Sequence, residues 1–267
     1  MKSLKNKTAL ITGASSGIGE AFARQFGQMG LNLILTARSG DKLAKVAAEI
    51  RKEHAVDVKI ITADLTSPSA ADKIAQEIWN DKLHVDILVN NAGFGKWANF
   101  LDEEKQTYTE MIALNIDATV KLSHLFLPQM LKNKSGGIIN IGSTGSFQPT
   151  PYIAVYCATK AFVLSFSEAL FGEYKDKGIT ITAVCPGNTK TLFSEVANAQ
   201  TEGQTYATPQ QVAKEGIAAF MKGRNYTVTG SFNNYIQSLS SRFLPRRTII
   251  GIVANMFKNK VKSYSLT

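Results

Sequence analysis

The sequence predicts a doubly wound α/β fold: a parallel sheet with helices on both faces, in a single domain. Three observations predict it. Short runs rich in Val, Ile, Leu and Thr alternate with longer runs of helical spacing as far as about Pro186. Most of the short runs lack strict polar–apolar alternation, as expected of strands covered on both sides. The first run passes through a glycine-rich turn directly into a helix.

The strand candidates are Thr8–Thr12, Leu31–Thr36, Val58–Thr62, Ile87–Asn90, Gly137–Ile141 and Ile179–Val184. Helical spacing marks Ile18–Met29, Asp41–Glu53, Ser69–Asn80, Lys105–Leu131 and Ala154–Lys175, with glycine stops at Gly30 and Gly178. Beyond Pro186 the rhythm weakens. Residues 188–206 read as a polar loop, and Pro209–Met221 as one more helix. No repeat or Pro/Gly-rich linker divides the chain. The expected organisation is one domain over residues 1–230, with residues 231–267 as a basic, partly amphipathic extension of it.

Composition bounds the function. A chain of 267 residues with 44% hydrophobic and 19% charged residues is ordinary globular material, which excludes a disordered or fibrous protein. No apolar run approaches the roughly 18 residues of a membrane span. The start, MKSLKNKTALITG, carries no extended apolar stretch, so a secretory signal is not expected. Cys157 and Cys185 are too few for a disulfide framework or a four-cysteine zinc site, and His54, His84 and His124 lack ligand spacing. The expectation is therefore no metal and a reducing, cytoplasmic setting.

The net charge of +9 is unevenly placed: residues 216–267 carry eight basic and no acidic side chains, whereas residues 1–215 carry 22 basic and 21 acidic ones. A near-neutral body excludes a nucleic-acid-binding domain, and the basic tail lacks the aromatic interleaving of a single-strand binder.

The glycine turn, Thr12-Gly13-Ala14-Ser15-Ser16-Gly17-Ile18-Gly19, does not have GxGxxG spacing. Its physics is the same. Glycines permit a tight turn and close backbone approach, and free N–H groups at a helix start attract a pyrophosphate. After the second strand stands Thr36-Ala37-Arg38, with no carboxylate to accept ribose hydroxyls. Arg38 is either a solvated loop side chain or a bidentate partner for a 2′-phosphate. Tyr156 and Lys160 lie four apart at helical spacing and face one way. A phenol is a poor acid–base group at neutral pH, and an adjacent ammonium favours its ionised form. Ser143, just beyond the fifth strand, supplies a hydroxyl.

Together these residues resemble the short-chain dehydrogenase/reductase family in its roughly 250-residue, Rossmann-type form, over residues 6–192. TGASSGIG matches the family's glycine turn, in which Gly13, Ser15, Ser16, Gly17 and Ile18 stand against the cofactor. Asp64-Leu65 matches the adenine-contacting pair, and Asn90-Asn91-Ala92-Gly93 the segment closing the fourth strand. Pro186-Gly187 with Thr189 and Thr191 matches the segment beside the nicotinamide. Asn115, Ser143, Tyr156 and Lys160 match the catalytic tetrad in order and spacing. The resemblance implies hydride transfer between NADP(H) and a carbonyl or secondary alcohol. In it Ser143 and Tyr156 hold the oxygen and Tyr156 moves the proton. Lys160 holds the nicotinamide ribose and lowers the Tyr156 pKa, and Asn115 anchors a water leading to solvent. A non-catalytic dinucleotide sensor on the same fold is the competing class; such a protein is expected to lose one of the reactive residues, and all four are present.

The expected substrate is a small molecule with a substantial apolar part, in a cleft above the carboxyl ends of the strands lined by Phe94, Trp97, Phe147, Tyr152, Leu192 and Phe193. Lys96 is a candidate partner for an anionic group or a solvated lysine. A homo-oligomer, dimer or tetramer, is the expected assembly. In the tail, Ile249, Ile250, Ile252, Val253, Met256 and Phe257 form a helical apolar stripe flanked by basic residues. Three readings stand: a helix packed on its own domain, a subunit contact, or an interfacial helix on anionic lipid that makes the protein peripheral to a membrane.

Overall fold

The computed structural model describes residues 4–199 and 206–261. Part of the expected substrate loop, 200–205, and Lys262 of the basic tail lie outside the described residues. The strands are β1 (Thr8–Thr12), β2 (Asn32–Ala37), β3 (Val58–Thr62), β4 (Ile87–Asn90), β5 (Gly137–Ile141), β6 (Thr180–Pro186) and β7 (Tyr226–Thr229). The helices are α1 (Gly17–Gln28), α2 (Gly40–Glu53), α3 (Ala70–Asn80), α4 (Lys105–Ile112), α5 (Ala118–Lys132) and α6 (Ala154–Tyr174). They continue with α7 (Phe193–Val196), α8 (Pro209–Met221), α9 (Phe232–Phe243) and α10 (Arg246–Phe257).

All seven strands are parallel, in the order β3-β2-β1-β4-β5-β6-β7. The chain runs outward from β1 to β3 and then returns beside β1 with β4. Strand order therefore reverses between β1 and β4, which opens a crevice at their carboxyl ends. Alternate side chains leave each strand on opposite faces. Ala9 and Ile11 join Phe22 and Phe26 of α1, the apolar side of α2, and Phe220 of α8. Leu10 points the other way, to Ile74 and Ile78 of α3 and Phe126 of α5. Burying a side chain such as Phe22 or Phe126 contributes roughly 1.5–3 kcal/mol, so these two layers set the sheet's position.

A polar chain crosses one layer. Asn90 Nδ2 donates to Asn140 Oδ1 at 2.9 Å, and Asn140 Nδ2 donates to Ser167 Oγ at 2.9 Å. These bonds fix α6 against β4 and β5, because an amide unpaired in that interior costs more than the bond itself contributes. By length and mean hydropathy (1.3), Ala154–Lys177 is the one described helix that would suit a membrane span, which no continuous apolar run in the sequence announces. It lies against β5 and β6 and carries Lys160 and Ser167 into the interior.

Three departures from the sequence reading matter. The run Lys105–Leu131 is not one regular helix, since a π turn at Ala113–Asp117 separates α4 from α5. The wider turn changes the direction in which successive side chains point, and it presents Asn115 inward, 1% exposed. The edge strand β7 is only four residues long and half-buried, too short to show a period. Finally, α10 packs on its own domain through Ile249 and Val253, 3% and 4% exposed, while Ile250, Ile252 and Met256 of the same stripe stay exposed, so only part of the stripe faces inward.

Candidate active site

The crevice begins at the end of β1. Thr12 Oγ1 accepts the N–H groups of Asn91 and Ala92, both at 2.9 Å, and Asn91 Nδ2 donates to the Thr12 carbonyl at 2.8 Å. This clamp joins the ends of β1 and β4. The turn between β1 and α1 passes through Gly13 and Gly17 at φ of +64° and +60°, a region other residues seldom enter. A Cβ on Gly19 would stand 2.4 Å from the Gly13 carbonyl oxygen. The glycines thus let α1 start against the turn. Its N-cap, Ser16, makes no side-chain cap, so the first N–H groups of α1 are left for a ligand.

One cavity of about 770 Å³ runs from this turn across the carboxyl ends of the strands. All the residues that the sequence assigns to the cofactor line it, from Gly13 through Asp64, Leu65 and Gly93 to Pro186, Gly187 and Thr191. At one end Arg38 and Lys42 contribute two cations; Lys42, in the first turn of α2, is a residue the sequence reading missed, although it stands four positions after Arg38. Asp64 sits nearby. Hydrogen bonds from the Thr66 backbone and side chain, and then the Arg38 charge, hold its carboxyl below the usual range.

Ser143, Tyr156 and Lys160 line the middle. Ser143 caps a short turn, Thr144–Phe147, and its Oγ accepts the Gly145 N–H at 3.0 Å. That leaves the hydroxyl proton to donate, with the Tyr156 oxygen within reach. Ser146 accepts the Ser143 N–H at 3.1 Å and donates to the Lys160 carbonyl at 2.8 Å, which ties the serine turn to α6. Lys160 Nζ donates to the Ile141 carbonyl at 2.8 Å and stands 5.8 Å from the Tyr156 ring centroid.

Burial pushes the Tyr156 phenol well above its ordinary value, and hydrogen bonding from Ser143 offsets only part of this. The sequence expectation was a phenol lowered by Lys160. In the structure burial is the largest influence on Tyr156, and it raises the phenol rather than lowering it. Burial also draws Lys160 down to about 8. The Cys185 and Cys157 thiols are free, buried, and pushed up to about 12 and about 11, which makes them poor nucleophiles.

Asn115 does not line the cavity; it lies directly behind it. Its Nδ2 donates to the Phe94 carbonyl and to Thr159 Oγ1, both at 3.0 Å, while its Oδ1 accepts the Phe94 N–H at 3.1 Å. A Cβ on Gly93 would stand 2.8 Å from Asn115 Oδ1 and 3.3 Å from Lys160 Nζ. Asn115 therefore holds the loop after β4 against α6.

The far end is apolar. Phe94, Trp97, Leu192 and Phe193 line it as expected, and Met256 and Phe257 of α10 join them. Two expected residues do not. Phe147 turns away to pack on Tyr226, ring centroids 5.8 Å apart. Tyr152 has a left-handed backbone (φ +68°), and its carbonyl accepts the Ala98 N–H at 3.0 Å. Lys96 is not part of the lining, whereas Lys260 is. The polar residues Gln148, Asn234 and Gln237 were not legible as lining, because α9, which carries two of them, turns its polar rather than its apolar side to the cleft.

A doubly wound sheet whose switch-point crevice gathers a serine, a buried tyrosine and a lysine is the build of an oxidoreductase acting on a carbonyl–alcohol pair. The chain belongs to the short chain dehydrogenases, whose family profile matches residues 7–202. A very-long-chain 3-oxoacyl-CoA reductase of Anas platyrhynchos is 32% identical over 267 aligned positions, covering 95% of this chain and 83% of the relative. A solved short-chain dehydrogenase of Sphingobium yanoikuyae in complex with NADPH superposes with a TM-score of 0.80 at 29% identity, covering 97% of this chain and 98% of that one. The bulky-bulky ketone specific alcohol dehydrogenase of Comamonas testosteroni gives a TM-score of 0.76 at 30% identity, covering 90% and 99%.

Proposed function

We propose that this short chain dehydrogenase is an NADP(H)-dependent reductase of apolar ketones or 3-oxoacyl compounds. The observation that carries the reading is the division of a single cavity: glycine turn and paired cations at one end, apolar wall at the other, Tyr156 between them.

The residues fit a phosphorylated dinucleotide. The uncapped start of α1 suits a pyrophosphate, and Arg38 with Lys42 suits a 2′-phosphate where a carboxylate would repel it. The bound nicotinamide supplies the hydride for the carbonyl carbon. The protein supplies the rest. Ser143 donates a hydrogen bond to the carbonyl oxygen and fixes its position. Tyr156, kept protonated by burial, gives its proton to that oxygen as negative charge develops there. Lys160 then opposes the charge left on the phenol from within the same low-dielectric interior.

The apolar end supports a substrate with a large hydrocarbon part, in keeping with relatives named for a 3-oxoacyl-CoA and for bulky ketones. The test is NADPH consumption with a panel of 3-oxoacyl thioesters, bulky ketones and small hydrophilic ketones. Turnover confined to the apolar members supports the proposal. Turnover with none of them, or only with small polar ones, contradicts it.

A further inference from the structure

Helix α9 is inverted relative to the ordinary amphipathic helix. Phe232, Tyr235, Ile236, Leu239 and Phe243 recur at i, i+3, i+4, i+7 and i+11, the spacing of one helix face. That face is normally buried. Here Phe232 is 74%, Ile236 51% and Phe243 80% exposed, and Leu244 continues the ridge. The polar side turns inward. Ser238 is buried, Asn234 Nδ2 donates to the Thr229 carbonyl at 2.9 Å, and Ser240 donates to Gln148 Oε1 at 3.3 Å. Gln237 of the same side lines the cleft, so the inversion comes from using the polar face there. A continuous apolar ridge left in water marks an interaction surface.

Charge says what it meets. Arg242, Arg246 and Arg247 are exposed where α9 passes into α10, and none pairs with a carboxylate among the described residues. No acidic residue follows Glu215 in the sequence. A second copy of the chain, docked through this patch by a two-fold contact, would bring no carboxylate from α9 or α10 to neutralise the arginines. A surface that is apolar beneath and negative above accepts both the ridge and the arginines.

We propose that the α9 ridge docks the protein on a bilayer containing anionic phospholipids, with Phe232, Ile236, Phe243 and Leu244 entering the acyl boundary and the three arginines at the headgroup phosphates. The docking stands on the surface alone. Resting on the reading of the site above, it also opens the substrate end beside the lipid, because Gln237, Met256 and Phe257 of α9 and α10 line that end.

The experiment is sedimentation of the full chain with phosphatidylcholine vesicles, with and without about one third phosphatidylglycerol, at low and high salt. The protein should sediment with the anionic vesicles at low salt, and less with neutral ones or at high salt. Arg242→Gln with Arg246→Gln and Arg247→Gln should weaken that partition roughly a hundredfold. Phe232→Ser with Ile236→Ser and Phe243→Ser should abolish it at an unchanged melting temperature. If that triple variant does not fold, Phe243→Ser alone, at the most exposed position, should weaken binding severalfold. Intact protein that stays in the supernatant with anionic vesicles overturns the proposal, as does binding that none of these substitutions alters. A dimer in sedimentation velocity that the ridge substitutions dissociate overturns it too, and assigns the ridge to a second copy. None of these readouts uses the reaction, so failure of the docking and failure of the reductase reading are separable.

Discussion

Trp97 and Phe257 meet edge to face, ring centroids 5.1 Å apart at 84°, and so join the loop after β4 to the C-terminal helix across the apolar end of the cleft. The two residues are 160 positions apart in sequence, and only the fold of the extension brings them together.

This contact makes α10 a wall of the apolar end of the cleft. Phe257→Ala should raise KM for a bulky apolar ketone about two- to tenfold, since an edge-to-face pair contributes about 0.5–1.5 kcal/mol beyond its buried area. KM for NADPH should stay unchanged. Steady-state kinetics with each substrate varied in turn separates the two.

Arg38 and Lys42 should set cofactor choice. A charge-assisted contact to a 2′-phosphate contributes roughly 1.5–3 kcal/mol, a preference for NADPH over NADH of about 10- to 150-fold. Ala37→Asp with Arg38→Leu should reverse it, because the new carboxylate repels the phosphate and accepts ribose hydroxyls. Equal Kd values of the wild type for both cofactors would refute the assignment.

Much of the fold and the site was legible in the sequence, for physical reasons that also explain the gaps. β1, β3, β4 and β5 fall where runs of β-branched and aliphatic residues put them, because buried parallel strands need such residues throughout. The glycine turn and Ser143 stand just beyond the ends of strands, Tyr156 and Lys160 lie one turn apart on a helix, and they converge on one cavity. The π turn at Asn115 was not legible, since one extra residue in a turn leaves no mark in apolar periodicity. Phe147 and Tyr152 were misplaced because loop residues have no period to orient them. In α9 the apolar rhythm is plain, yet rhythm alone does not say which side faces the protein; the polar partners on Gln148 and Thr229 decide that.

Asn115 acts by holding the Phe94 backbone and Thr159. Asn115→Ala removes one side chain from three hydrogen bonds in a buried site, so the loss should be about 1–3 kcal/mol. For a chain of this size that corresponds to a fall in Tm of about 2–4 °C per kcal/mol, measurable by calorimetry.

Lys160 gives the pH dependence. Burial lowers its pKa from the ordinary value to about 8, so between those two values the unfolded chain binds more protons than the folded one. Stability should therefore rise with pH from about 8 towards the ordinary lysine range, with the penalty of the buried charge present in full below it. The difference in unfolding free energy between wild type and Lys160→Met should shift in the wild type's favour as pH rises through this window. For ketone reduction, kcat/KM should fall above about pH 8 as the ammonium is lost, because Tyr156 stays protonated well beyond it.

If the Tyr156 hydroxyl is the proton donor, one substitution isolates its role. Tyr156→Phe keeps the ring that packs on Phe193, centroids 5.2 Å apart, and removes only the oxygen. The measurement is single-turnover reduction of an apolar ketone by the variant loaded with NADPH, beside the Kd for NADPH from fluorescence titration. Kd should stay unchanged while the rate of hydride transfer falls by about 10²–10⁴-fold, the usual contribution of a general acid. A variant that reduces the ketone at the wild-type rate contradicts that role.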